Sequence, residues 1–151
     1  MVFLCKSWYN TPEDLIITKG AYTMKTVSER FLTYVKHHTT SDEDSAKFPS
    51  TDLQLHFAAF LADECKAIGL KNISVDPYGY VTATLQKKKK NIPVIGFIAH
   101  MDTSPDASGE NITPNIVKNY DGKTISLKEG ELSPSEFPFL KDYIGQTPIT
   151  T

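Results

Sequence analysis

The sequence predicts a mixed α/β fold. Three observations carry this: two stretches with the spacing of amphipathic helices come first, period-two alternation follows, and a nearly unbroken apolar run over residues 92–99 closes the regular part. A strand that is apolar on both faces belongs inside a sheet covered by helices. Helices followed by strands, with one strand of that kind, argue for an α/β or three-layer architecture.

The first helix is expected over Thr26–His38. Val27, Phe31, Tyr34 and Val35 fall at i, i+4, i+7 and i+8, one face of a helix. The polar, acidic, Ser-rich segment 39–49 reads as a loop. A second helix opens after Pro49, where Thr51 and Gln54 have capping-box spacing. Leu53, Phe57, Phe60, Leu61, Ala62, Cys65 and Ile68 form its inner face, and Gly69 is a natural stop. Ile73 and Val75 then alternate with polar residues, Pro77-Tyr78-Gly79 makes a turn, and Tyr80–Leu85 is β-branched and aromatic. This pattern predicts two short antiparallel strands. Lys87–Lys90 marks a solvated turn before the apolar run. Residues 101–151 are rich in Pro, Gly, Asn and Ser and have little period. A structureless segment this long is uncommon in a compact domain. It is either functional or folds against something outside it. Residues 1–23 also lack a sustained period and read either as an appendage or as an N-terminal strand near Leu15–Thr18. Met24 stands where regular pattern begins.

Composition narrows the function. The chain has 151 residues, with 16 Lys+Arg against 18 Asp+Glu and a net charge of −2. That balance argues against a nucleic-acid binder, which would carry a basic excess. No apolar run approaches the roughly 20 residues that span a bilayer, and the opening apolar residues end at Lys6, too early for a signal peptide. Cys5 and Cys65 make neither a metal-ligand pair nor a disulfide framework, which suits a reducing, cytoplasmic compartment.

The most informative stretch runs from Phe97 to Asp106. His100 ends the apolar run, and Asp102 follows two residues later. In extended chain, residues i and i+2 face the same side, so an imidazole and a carboxylate can aim into one site at the carboxyl end of a strand. Open α/β sheets place ligands there. A metal-binding His needs one neutral nitrogen facing the ion, and a carboxylate on the other N–H fixes that tautomer. The tripeptide alone is a weak signal and more often marks a polar strand end that caps itself. Other candidates read blandly. His37 and His38 close the first helix, where a cation complements the dipole. His56 borders the apolar stripe, Cys65 is a small hydrophobe, and Ser104 lacks a nucleophile elbow.

From Met24 to Thr151 the sequence resembles the peptidase T family, tripeptide aminopeptidases among the co-catalytic di-zinc peptidases. The resemblance is carried by Glu29-Arg30-Phe31-Leu32-x-Tyr34-Val35, Pro49-Ser50-Thr51 and Ala83-Thr84-Leu85. More specific are Ile95–Asp106, Ile116-Val117-x-Asn119-Tyr120, Leu132-Ser133-Pro134, Phe137-Pro138 and Gly145–Thr151. It implies that residues 24–151 are the N-terminal portion of a three-layer α/β/α zinc-peptidase catalytic domain, incomplete here, with residues 1–23 an extension outside the fold. His100 would be a metal ligand and Asp102 its orienting catalytic partner. The family's bridging aspartate, its Glu-Glu pair, a further carboxylate and a distant His would all match positions beyond Thr151, and Asp106 and Glu110 match no ligand. Zinc is the implied cofactor: two ions in the full-length enzyme, at most one ligand here. The implied partner is a tripeptide substrate, with a homodimer only through a dimerisation domain these residues lack. Taken alone, the 151 residues are expected to be inactive. A non-catalytic remnant or interaction module with a partial fold is the alternative.

Overall fold

The structure, a computed structural model, describes residues 25–85 and 93–151. Helix α1 spans Val27–Tyr34, shorter than its apolar period suggested. It starts from a complete capping box: the Thr26 side chain accepts from the Glu29 N–H at 3.2 Å, and the Glu29 carboxylate accepts from the Thr26 N–H at 2.6 Å. It ends early because the following turn tightens. The Lys36 and His37 N–H groups donate to Thr33 and Tyr34 oxygens, three residues back. His37 and His38 therefore lie beyond the helix rather than in its last turn, and their expected dipole role does not hold. The His37 ring instead packs between Phe57 and Phe60, with centroids 4.9 and 4.5 Å away.

Helix α2 spans Asp52–Ala67. The expected Thr51–Gln54 capping box is absent. Thr51 makes no cap bond; its hydroxyl donates to the Thr40 oxygen at 3.3 Å, while the Gln54 amide donates to the Ser50 hydroxyl. At the other end Gly69 adopts φ +87°. Its N–H donates to Lys66 and the Leu70 N–H to Cys65, both at 3.0 Å, the paired bonds of a Schellman stop. Phe57, Ala58 and Ala62 are buried, but Leu53 and Ile68 sit at the margin with 38% exposure each. Cys65 lies half-buried on this face, where burial pushes its thiol pKa up.

Tyr34 meets Phe57 and Phe60 edge-on at 5.7 and 5.8 Å, and Arg30 forms an ion pair with Glu64 across the two helices. Strands β1 (Lys71–Val75) and β2 (Val81–Thr84) form the expected antiparallel hairpin beneath α2. Asp76 builds its turn, its carboxylate accepting from the Tyr78 and Tyr80 N–H groups at 2.9 Å, while Gly79 takes φ +86°.

The apolar run departs from expectation. Residues 93–100 form no strand. Val94, Ile95, Phe97 and Ile98 are 89, 75, 94 and 102% exposed. A strand exists by pairing, and among the described residues nothing pairs with this segment. The expected doubly buried strand, and with it the three-layer sandwich, is thus not present among the described residues; what is present is helices plus small antiparallel sheets.

Residues 101–151 correct the sequence reading in the other direction, since they make a core of their own. Strands β3 (Asn115–Ile116) and β6 (Ile149–Thr150) pair, as do β4 (Ile125–Ser126) and β5 (Glu131–Leu132). A 3-10 helix covers Pro138–Tyr143. Tyr120, Ile125 and Leu140 are buried together, with Val117, Leu127, Leu132 and Tyr143 around them. Gly122, at φ +84°, lies under Ile144, where a Cβ would approach the Ile144 side chain to 2.9 Å. The expected Leu15–Thr18 strand and the lysine turn at 87–90 lie outside the described residues.

Candidate functional site

His100 and Asp102 follow the exposed apolar run and are themselves accessible, with side chains 61 and 44% exposed. The i, i+2 spacing brings them into contact. The His100 Nδ1 lies 3.2 Å from the Asp102 carboxylate and 2.9 Å from the Asp102 main-chain oxygen. Both neighbours are acceptors, so a neutral ring places its proton on Nδ1. The Nε2 lone pair is then the donor left for a ligand.

A second element fixes the chain beside this pair. Residues 39–41 lie against Thr103 through a parallel bridge. The Thr103 N–H donates to the Thr39 oxygen at 3.2 Å, and the Ser41 N–H donates to the Thr103 oxygen at 3.0 Å. The Thr40 and Thr103 hydroxyls are 3.2 Å apart, and the Ser41 hydroxyl also donates to the Thr103 oxygen. Thr39 is buried. Sequence reading missed Thr40 and its role because the contact joins residues 63 apart, and no local pattern encodes it.

His100 and Asp102 line an open cavity of about 740 Å³. The loop residues Asp42 and Phe48 and the hairpin residues Tyr78 and Tyr80 form its other walls. Asp42 and Glu43 line the same cavity, whereas Asp106, Glu110 and His38 contact other groups. The Ser104 hydroxyl donates to Asp106 at 2.7 Å, and Glu110 lies 3.7 Å from the His38 Nδ1. His56 is exposed on α2. Among the described residues, no group of three or more His, Cys, Asp or Glu is gathered to hold a metal ion. Nor is any described helix long and apolar enough to cross a membrane.

Comparison with known proteins agrees with the motif. The chain is 58% identical over 132 residues to Peptidase T of Caldanaerobacter subterraneus subsp. tengcongensis, covering 85% of this chain. It is 54% identical to Peptidase T of Halothermothrix orenii and 53% identical to that of Clostridium acetobutylicum over the same share. The chain is homologous to part of Peptidase T. It spans about a third of the length of these relatives, 32% in each case. No family profile matches it.

Proposed function

We propose that these residues belong to a zinc-dependent aminopeptidase that releases the N-terminal residue of tripeptides. In this reading His100 is a metal ligand through Nε2, and Asp102 is the catalytic carboxylate that orients it. The observation that carries the proposal is the contact from His100 Nδ1 to the Asp102 carboxylate, in a segment shared with Peptidase T. A neutral imidazole anchored in this way is the donor that zinc sites use. When bound, zinc would polarise the scissile carbonyl and activate the attacking water. Asp102 keeps the ring proton on Nδ1, and the adjoining cavity receives the peptide. A catalytic zinc commonly takes three protein ligands, and His100 supplies one. The other ligands and the general base would come from sequence matching the remainder of Peptidase T. In a protein of that length, residues 94–99 would be an inner strand of a three-layer α/β/α domain. Residues 24–151 would form its N-terminal portion, with residues 1–23 outside the fold. A dimerisation domain and a cytoplasmic location complete the proposal. By itself the 151-residue polypeptide is inactive.

A chimera tests this, with the chain replacing the matching third of the Halothermothrix orenii Peptidase T. With added zinc or cobalt the chimera hydrolyses tripeptides, and the 151-residue polypeptide shows no metal-dependent turnover. Turnover by the short polypeptide overturns its inactivity. A folded chimera without turnover overturns the aminopeptidase reading in favour of an interaction module.

A further inference from the structure

We propose that Thr40 is a positioning residue: through Thr103 it holds the Asp102 carboxylate against the His100 ring. His100 and Asp102 sit on an exposed segment without strand partners, so no sheet fixes their geometry among the described residues. What fixes it is the strap of residues 39–41. Thr103 is bonded on both its main-chain sides, to Thr39 and Ser41, and its hydroxyl meets that of Thr40. Asp102 is the next residue, and its main-chain oxygen and carboxylate both face His100 Nδ1. The strap is itself anchored, since Thr39 is buried and the Thr40 oxygen accepts from the Thr51 hydroxyl at the start of α2. The clamp also explains Gly109. A Cβ at that position would lie 2.5 Å from the Thr40 hydroxyl oxygen and 3.1 Å from the His38 ring. A side chain there must displace either the Thr40 side chain or the loop that carries residue 109, and it would also come within 3.4 Å of the Thr103 hydroxyl. Thr40 thus acts on the ring through two intermediaries, with no contact of its own to a ligand.

The assignment rests on the reading of His100 and Asp102 as the site, but its test needs no metal and no activity. Imidazole ¹⁵N resonances report which ring nitrogen carries the proton. They are recorded on the ¹⁵N-histidine-labelled 151-residue chain, kept dilute, at about pH 8.5, above the ordinary imidazole range. A solvated neutral histidine favours the Nε2–H form, whereas His100 is expected to hold mainly Nδ1–H. Thr40→Val keeps the shape but removes the hydroxyl, and Gly109→Ala crowds it. Both shift His100 toward the solvated pattern, and Thr40→Ser retains the Nδ1–H form. A wild-type His100 with the solvated pattern overturns the proposal. So does an unchanged Nδ1–H preference in Thr40→Val and Gly109→Ala with helical circular dichroism intact. If Thr40→Val loses that dichroism, Gly109→Ala against Thr40→Ser decides. A chimera inactive on peptides, with the tautomer shifts present, counts against the aminopeptidase reading and leaves the positioning role standing.

Discussion

The hairpin of β1 and β2 and the run from Val94 to Ala99 are both built of strand-forming residues, yet only the first is a sheet. Ile73, Val75, Val81 and Ala83 lie in an antiparallel pair joined by residues 76–80 and packed against α2, with Ile73 and Val81 half-buried and Val75 41% exposed. Val94, Ile95, Phe97 and Ile98 are more apolar, and they stand open to solvent. Intrinsic preference for strand is chiefly a preference for a pleated, half-buried surface. The hairpin brings its own partner within ten residues. The apolar run depends on partners far away in sequence, and its burial, worth roughly 25 cal/mol per Å² of apolar surface, stays unrealised without them.

The largest effect that could break this comparison is expected in the Peptidase T chimera. Supplied with the remaining two-thirds of a Peptidase T, the amides of residues 94–99 should pass from free exchange to protection like that of β1 and β2. Hydrogen exchange with peptide-level readout measures it. Continued free exchange in an active chimera would show that the run is not an inner strand. In the same protein, His100→Ala should reduce tripeptide turnover to background. Asp102→Ala should cost about 10–100-fold in metal affinity or activity, as loss of a ligand's orienting partner does.

A smaller effect sharpens the contrast between realised and unrealised burial. Leu140 is 5% exposed in the C-terminal core, and Phe97 is 94% exposed. Leu140→Ala should destabilise residues 101–151 by about 2–3 kcal/mol. Phe97→Ala in the 151-residue chain should fall within about 0.5 kcal/mol and should reduce self-association, since a contiguous exposed apolar patch invites it. Urea unfolding and sedimentation check both. A Phe97→Ala cost equal to that of Leu140→Ala would mean that the run is packed.

How much could be read in advance follows the same division. The helices, the Gly69 stop and the Pro77–Gly79 turn were legible because their signals are local: an apolar period and a residue suited to positive φ. Asp102 beside His100 was legible for the same reason, a spacing of two. Local signals also misled when a distant group competed for the same atom. Thr51 and Gln54 have capping-box spacing, but the Thr51 hydroxyl goes to Thr40 and the box never forms. His37 and His38 are expected to close the first helix, but α1 stops at Tyr34 and the His37 ring packs against Phe57 and Phe60. The core of residues 101–151 was illegible because its members, Tyr120, Ile125 and Leu140, are spaced without period and joined by two-residue strands. Ile116 and Ile149 meet across a pairing that only the folded chain reveals.

The smallest effect concerns the side-chain N-cap of α1. Thr26→Ala should cost about 1 kcal/mol, the usual worth of a Thr N-cap. The loss should appear as fraying of α1 in amide exchange, with α2 unaffected. Its pH dependence is fixed by Glu29, whose carboxyl is held below its ordinary value of 4.5, first by the Thr26 N–H and then by the Thr26 hydroxyl. A carboxylate whose pKa is lower folded than unfolded contributes stability above the unfolded value and loses it as pH falls through the folded one. The difference between wild type and Glu29→Gln should therefore be full at neutral pH and fade below about pH 4.5. The Thr26→Ala cost should shrink over the same window, because half of the reciprocal cap has already been protonated away. A Thr26→Ala effect that stayed constant from neutral pH to pH 3 would show that the hydroxyl alone caps α1 and that the Glu29 contact contributes nothing.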